Sequence, residues 1–197
     1  MKLLLLASAV AGTFALTLPE APSTQDPQDV QGQMQKAAKF TQPGKHHKVL
    51  ERFLGKWETT SSFVMGGRKM GNEKGTAEFS WLIEGRWLQS RMDGKIMGMP
   101  LQAHTWLGYD NFKQSFVSTR VSSMDTAMTH AEGDLTQDGK ALITYGTLDE
   151  YLTGEHDKMV KYVWRFVSDD EMALEVHDLP IGEENTEVLH VAYKRAK

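Results

Sequence analysis

The sequence predicts an all-β protein, an antiparallel up-and-down β-barrel of about ten strands with a short amino-terminal capping helix. Three observations support this prediction. Apolar and polar side chains alternate along most of the chain after Gly55, as they do in half-buried strands. Turn-forming residues recur roughly every 8–12 residues. No helical stretch of roughly 10–15 residues separates the strands, so a parallel sheet is excluded.

The first residues have the organisation of an export signal. Lys2 precedes an apolar run that ends at Pro19, and the small residues around Thr13–Ala15 suit a signal peptidase. We expect residues 1–21 to be a signal peptide cleaved near residue 15 or 21, which makes the mature protein periplasmic or secreted. A retained membrane anchor is the alternative, but the run is shorter than the roughly 20 residues that span a bilayer.

The composition changes after the signal. Residues 22–43 are rich in Pro, Gln, Asp and Ser, which is typical of a flexible polar linker, with a short helix over Gln33–Lys39 as the alternative. Residues 44–54 are expected to form one short helix, ended by Gly55, that caps the barrel. Its apolar residues fall on one helical face: Val49, Leu50, Phe53 and Leu54. We therefore expect a single barrel domain over residues 44–197.

The rest of the chain reads as strands joined by tight turns. The longest hairpin folds about Asp110-Asn111, and Gln137–Gly139 forms another turn. Such a meander favours a closed barrel over a sandwich, because closure leaves no exposed edge, and it can hold a small ligand. The predicted strands are Glu58–Met65, Ala77–Ile83, Arg86–Ile96, Leu101–Tyr109, Lys113–Met124, Thr126–Leu135, Ala141–Asp149, Lys158–Val167, Met172–Asp178 and Glu187–Arg195.

Composition excludes several classes of function. The net charge is −4 and the charges of both signs are interspersed, so nucleic acid is not an expected partner. The chain contains no cysteine, hence no disulfide, no lipid-anchored cysteine and no thiol nucleophile. The Gly-x-Ser-x-Gly motif of serine hydrolases is missing as well. No catalytic residues are predicted, and the sequence favours a binding protein over an enzyme.

Five short motifs carry a family resemblance: Leu54–Trp57, Ile83–Leu88, Met97–Pro100, Gly108–Asn111 and Ser122–Met124. In this order they resemble the family catalogued as domain of unknown function 1579, over residues 45–197. The resemblance implies an exported bacterial protein with a calycin-like barrel, and it brings no established activity.

Gly55-Lys56-Trp57 is similar to the signature of the lipocalins and other calycins. In that superfamily the tryptophan closes one end of the barrel and an arginine from a late strand packs over it. The resemblance implies a structural Trp57, with Arg195 or Arg165 over its indole.

Bulky, adaptable and charged side chains of the middle strands are the candidates for a ligand site. They are Met97, Met99, Trp106, Arg120, Met124, Met128, Tyr145, Tyr162 and Trp164. We predict that they line an interior site for a small apolar or amphipathic molecule. Two alternatives stay open: the same side chains fill a packed core, or the barrel binds another protein through its outer face. The oligomeric state is also left open.

Arg120 is the candidate whose orientation matters most. It alternates with Phe116 and Ser118 on one face of its strand, and with Val117 and Thr119 on the other. If the Phe116 face points inward, Arg120 is a buried cation that needs an acidic side chain or an anionic ligand. If that face points outward, Arg120 is a solvated surface charge.

Histidine offers little support for a metal site. None of the seven histidines pairs with another at the i, i+4 spacing of a helical site, and no metal is predicted. The segment Leu189–Arg195 is similar to the end of the nitrobindin-type haem barrels, in which a late-strand histidine ligates iron. That resemblance implies haem bound through His190, with peroxynitrite or NO chemistry, as the rival to a barrel without a cofactor.

Overall fold

The computed structural model describes residues 27–65, 67–150, 154–179 and 186–197. Within them, ten antiparallel strands follow one another around a closed barrel, and β1 pairs with β10 to complete it. The predicted up-and-down barrel is therefore confirmed. The expected signal peptide, residues 1–21, lies outside the described residues.

An α-helix and a 3₁₀ helix precede the strands: α1 (Pro27–Thr41) and the 3₁₀ helix His47–Phe53. The strands are β1 (Gly55–Met65), β2 (Arg68–Ile83), β3 (Trp87–Ile96), β4 (Met99–Asp110), β5 (Ser115–Ser122), β6 (Thr129–Leu135), β7 (Ala141–Glu150), β8 (Glu155–Phe166), β9 (Glu171–Asp178) and β10 (Glu187–Arg195).

Helix α1 occupies part of the segment expected to be a linker. It extends in both directions beyond the helix considered over Gln33–Lys39. The good helix formers Gln, Met, Lys and Ala outnumber the residues typical of tethers here. The boundary between two structural units falls after Ala38, so the last turn of α1 belongs to the barrel unit. None of the described helices combines the length and apolar character needed to cross a membrane.

The capping helix is shorter and tighter than the one expected over residues 44–54. A 3₁₀ helix has 3.0 residues per turn, so every third residue falls on the same face. That face carries the buried residues His47, Leu50 and Phe53. The segment thus presents three side chains to the barrel interior and closes one end of it.

The register of the strands determines which side chains point inward. On β5, Phe116 is fully buried, and Arg120 pairs with Thr105 of β4 and Thr129 of β6. Alternation then places Arg120 on the inner face with Phe116. The main apolar core lies nearest the 3₁₀ helix and includes Leu50, Phe53, Trp57, Phe79, Leu88, Leu107, Phe116, Leu142, Phe166, Met172 and Tyr193.

Candidate functional site

One end of the barrel, which we call the closed end, is sealed by the 3₁₀ helix and Trp57. The Trp57 indole is 2% exposed, and its Nε1 donates a hydrogen bond to the Phe53 carbonyl at 2.8 Å. The Arg195 guanidinium lies 4.2 Å from the centre of the indole ring and donates to the Leu54 carbonyl at 2.7 Å. Trp57 is therefore structural, as its resemblance to calycins implied, and Arg195 is its partner.

Gly55 explains why this signature contains a glycine. Its φ is +112°, a conformation that costs a side chain strain, and a Cβ there would lie 2.8 Å from Arg195 Nη1. The other candidate arginine, Arg165, faces away from the indole and pairs with Glu175 at 2.5 Å. The close approach of Arg195 thus depends on the glycine that begins β1.

A buried histidine belongs to the same end. His47 is 6% exposed, and its Nδ1 accepts a hydrogen bond from the Gly44 amide at 3.0 Å. Burial lowers the pKa of His47 and the charge of Arg86 lowers it further, while a hydrogen bond to the Tyr109 backbone opposes the shift. The neighbouring His46 stacks on the Tyr109 ring with centroids 4.5 Å apart. The closed end is thus built around a neutral imidazole.

Beyond this seal the barrel encloses a narrow cavity. The space open to the centre of a water molecule is about 70 Å³, enough for several waters or a slim apolar group. Its walls are mainly apolar, with scattered hydroxyl groups. Representative lining residues are Ala77, Phe79, Leu107, Ala131, Trp164 and Val191, with Ser61, Ser90, Thr105, Ser118 and Thr144 among the polar ones.

The opposite end of the barrel, which we call the mouth, holds a wider pocket of about 370 Å³ measured in the same way. Both spaces are lined by the same four side chains: Arg120, Thr129, Tyr162 and Leu189. The narrow cavity therefore meets the wider pocket at Arg120, where a molecule entering from the mouth would pass the guanidinium.

Arg120 has no compensating carboxylate in the described part of the chain, where every ion pair involves other residues. Asp125 lines the same pocket, but its Oδ1 accepts from the Ala127 amide at 3.0 Å. Asp178 is 2.7 Å from Lys158 Nζ. The inner face of the barrel therefore carries a half-buried cation that forms no direct ion pair with any described carboxylate.

The charge of Arg120 affects the pKa values of two nearby tyrosines. Burial raises the pKa of Tyr193 and of Tyr162, and the charge of Arg120 opposes the increase in both. A hydrogen bond with Thr129 also opposes the increase in the pKa of Tyr162. Both phenols are neutral near neutral pH, so they offer hydroxyl groups rather than negative charges to Arg120.

The structure brings three of the nine predicted ligand-site residues to the cavity wall: Arg120, Tyr162 and Trp164. The other six are not among the residues that line either space. Met97, Met99 and Met128 are exposed around the mouth, and Met124 follows β5 in a loop. The prediction that these methionines line the interior is therefore wrong.

Trp106 and Tyr145 lie on the wrong face for an interior site. Trp106 stands between Thr105 and Leu107, which line the cavity, so alternation turns the indole to the outer face of β4. Tyr145 follows the inward-facing Thr144 and is 48% exposed. Aromatic size alone did not distinguish the inside of the barrel from the outside.

Sequence reasoning missed the small polar residues of the cavity and several large ones, among them Phe79 and Tyr193. Ser118 lies between Phe116 and Arg120 on the same face of β5, so the alternation that applied to Arg120 could have found it. Tyr193 likewise shares the face of Val191 on β10. Serines on neighbouring strands, such as Ser61 and Ser90, carry no such signal until the register is known.

His190 points away from the cavity. It alternates with Leu189 and Val191, which line the interior, and its Nδ1 lies 2.9 Å from Glu187 Oε1. This orientation gives no support to His190 as a haem ligand inside the barrel. Among the described residues, no three His, Cys, Asp or Glu side chains are grouped so that they could hold a metal ion.

Fold and cavity together define a single-chain antiparallel barrel with an interior that opens at one end. The family model described as a protein of unknown function (DUF1579) matches residues 42–195, and the chain belongs to this family. The resemblance seen in the five sequence motifs is thereby confirmed. No curated protein matches the chain.

Solved structures of similar fold include Rv2717c from M. tuberculosis. Its crystal structure has a TM-score of 0.58 and 12% identity, covering 78% of this chain and 99% of that one. The S-type phycobiliprotein lyase CPES from Guillardia theta has a TM-score of 0.51 and 11% identity, covering 77% of this chain and 93% of that one. At such identities the similarity concerns the fold alone.

Proposed function

We propose that this protein binds a small amphipathic molecule, with its apolar part in the narrow cavity and an anionic group at Arg120. The observation that carries the proposal is the inward-facing guanidinium without a carboxylate partner among the described residues. A cation in apolar surroundings costs free energy unless an anion compensates it. A carboxylate, sulfate or phosphate on a ligand supplies that compensation.

The shape of the interior favours a slim apolar part. The cavity between Phe79, Leu107 and Trp164 is much smaller than the pocket at the mouth. An unbranched chain fits such a space, whereas a fused ring system requires the walls to move. The head group would then sit where the two spaces meet, within reach of the hydroxyl groups of Thr129 and Tyr162.

Calorimetric titration with octanoate and with octanol tests the role of Arg120. The two probes share an unbranched chain and differ in the charge of the head group. Replacing Arg120→Met should weaken octanoate binding by about tenfold or more, the usual loss for a charge-assisted hydrogen bond, and leave octanol binding unchanged. The control is Arg165→Met, which removes an outward-facing arginine paired with Glu175. Equal octanoate affinity in wild type and Arg120→Met contradicts the proposal.

A second variant tests the cavity itself. Ala131 is 6% exposed and lines the interior, so Ala131→Phe fills the space that the chain of the probe would occupy. Both octanoate and octanol should then bind at least about tenfold more weakly, because the chain loses apolar contact. The matched control is Ala192→Phe, on the outer face of β10. Unchanged binding in Ala131→Phe would show that the probes bind elsewhere.

Export is part of the proposed function. The apolar run after Lys2 and the small residues at Thr13–Ala15 support cleavage and release into the periplasm or the medium. Mass spectrometry of the protein recovered from its own cells should show a new amino terminus near residue 15 or 21. An intact Met1 on the recovered protein would contradict export by cleavage.

A further inference from the structure

Exposed methionines gather around the mouth of the barrel. The chain has 11 methionines. Six that are 44–66% exposed lie at strand ends or turns on this side, or on the strand leading to them: Met65, Met70, Met97, Met99, Met128 and Met159. Methionine is unbranched and polarizable, and proteins use it on surfaces that adapt to apolar partners. So many exposed thioethers at one end are unusual for a surface that faces only water.

One side of the mouth is also basic. The β1–β2 turn is followed by Arg68 and Lys69, and Lys95 precedes the β3–β4 turn; all three are exposed. None of them forms an ion pair with a described residue. The two hairpins are tied together because Glu73 Oε1 accepts from the Gly98 amide at 2.6 Å. We call Met65, Arg68, Lys69, Lys95, Met97 and Met99 the basic methionine patch.

The other side of the mouth has the opposite character. Asp149, Glu155 and Asp178 lie there, and nearby His156 and Lys158 pair with them. Charge at the mouth is therefore unevenly distributed. On the β1–β4 side, Arg68, Lys69 and Lys95 stand beside one carboxylate, that of Glu73, which is bonded to the Gly98 amide, whereas Asp149, Glu155 and Asp178 lie across the opening. A partner that contacts the patch must be anionic at its surface and apolar beneath it.

We infer that the basic methionine patch docks the mouth of the barrel onto an anionic lipid surface. Each Lys or Arg near such a surface strengthens binding by about fivefold, and apolar side chains enter the boundary between head groups and acyl chains. The inference rests on the proposed function, since an amphipathic ligand partitions into membranes and would pass directly between lipid and the Arg120 pocket. The patch and that pocket open on the same end of the barrel.

Co-sedimentation of the full chain with lipid vesicles tests the docking. Vesicles of equal parts phosphatidylglycerol and phosphatidylcholine should bind the protein, pure phosphatidylcholine should bind it much less, and high salt should release it. Lys69→Glu with Lys95→Glu should weaken binding by about thirtyfold or more, because each reversal replaces attraction by repulsion. Met97→Ser with Met99→Ser should weaken it by about threefold or more. Wild type and variants carry the same amino-terminal segment, so differences between them report the patch.

The matched control lies at the closed end. Lys140→Glu with Val167→Ser changes one exposed cation and one exposed apolar side chain there, and should leave vesicle binding unchanged. Equal binding by wild type and the patch variants overturns the inference, as does equal weakening by this control. If the chain sediments with neither vesicle, the patch does not bind lipid, and a protein partner becomes the better explanation.

Arg120→Met separates the two proposals. It should bind octanoate about tenfold or more weakly than the wild type and still sediment with anionic vesicles, because Arg120 lies inside the barrel and outside the patch. Loss of octanoate binding in Lys69→Glu with Lys95→Glu, measured without vesicles, is not expected. Vesicle binding without octanoate binding in the wild type would refute the ligand proposal and leave the docking intact, and the reverse result would refute the docking alone.

Discussion

The two ends of this barrel are built from different side chains and serve different purposes. At the closed end, aromatic rings pack edge to face, as in the pairs of Phe53 with Phe166 at 5.1 Å and with Trp164 at 5.3 Å. At the mouth, methionines are exposed and Arg120 has no carboxylate partner among the described residues. Because most of the tight packing lies at the closed end, the mouth can keep apolar side chains exposed and an arginine without an ion pair among the described residues.

Arginine shows the contrast most directly. Arg195 at the closed end stacks on Trp57 and donates to the carbonyls of Leu54 and Asp169, so its charge is used within the fold. Arg120 at the mouth faces Tyr162, a neutral phenol. The same residue type is bonded within the fold at one end and has no carboxylate partner among the described residues at the other.

Truncating the seal should have the largest effect. Trp57→Ala removes a side chain that is 2% exposed, and we expect the free energy of unfolding to fall by about 3–5 kcal/mol. Met97→Ala at the mouth, where the side chain is 66% exposed, should change it by less than about 0.5 kcal/mol. Urea unfolding followed by tryptophan fluorescence and circular dichroism measures both. Similar losses in the two variants would contradict the claim that side chains at the closed end contribute more to stability than those at the mouth.

The second effect concerns the arginine over the indole. Arg195→Met should lower the free energy of unfolding by about 2 kcal/mol, because it removes the contact with Trp57 and leaves the Leu54 carbonyl without its donor. Arg165→Met, whose side chain is 54% exposed and paired with Glu175, should cost less than about 1 kcal/mol. A larger loss in Arg165→Met than in Arg195→Met would show that Arg195 is not the arginine that stabilises the closed end.

The third effect depends on pH. The pKa of His47 is lowered in the folded protein, so the unfolded chain binds the proton more readily. Stability should therefore be constant above the ordinary histidine pKa and decline as the pH falls from about 7 to about 5. His47→Gln should flatten this decline, because it removes the group whose pKa burial lowers. An identical pH profile in His47→Gln and wild type would exclude His47 as its source.

The smallest change in the free energy of unfolding should be an increase, in contrast to the losses expected from the substitutions above. Arg120→Met replaces a half-buried cation by an apolar side chain of similar length, and the free energy of unfolding should stay the same or rise by up to about 1 kcal/mol. Thermal unfolding beside Arg195→Met provides the comparison. A clear loss of stability in Arg120→Met would mean that its charge is compensated within the fold, and would weaken the case for an anionic ligand.

The sequence was sufficient to predict the barrel and the residues that close one end of it. Period-two alternation and tight turns predicted about ten strands. The resemblance to calycins implied a structural Trp57 covered by Arg195 or Arg165, and the structure places Arg195 there. Alternation fixes which residues share a face, but it does not say which face is inside. Phe116 settles this for β5 because it packs under the 3₁₀ helix end of the barrel, a contact between segments far apart in sequence.

Several residues were wrongly assigned to the interior because alternation does not tell which face of a strand points inward. Trp106 and Tyr145 are large enough to have been assigned to the interior, yet the outer wall of a barrel also carries aromatic residues. The exposed methionines were assigned by their chemistry rather than by their position at strand ends. The full length of helix α1 was not predicted, because its segment contains both good helix formers and residues typical of linkers, and composition alone did not decide between the two.

The pairing of β1 with β10 constrains the order of assembly. Trp57 lies opposite Arg195, so the ring cannot close before the ribosome has made the strand that follows all the others. Until then β1 and β9 present open hydrogen-bonding edges, which attract other chains. The nascent protein thus requires protection throughout its synthesis, and premature termination within β10 would yield an aggregating product rather than a smaller barrel.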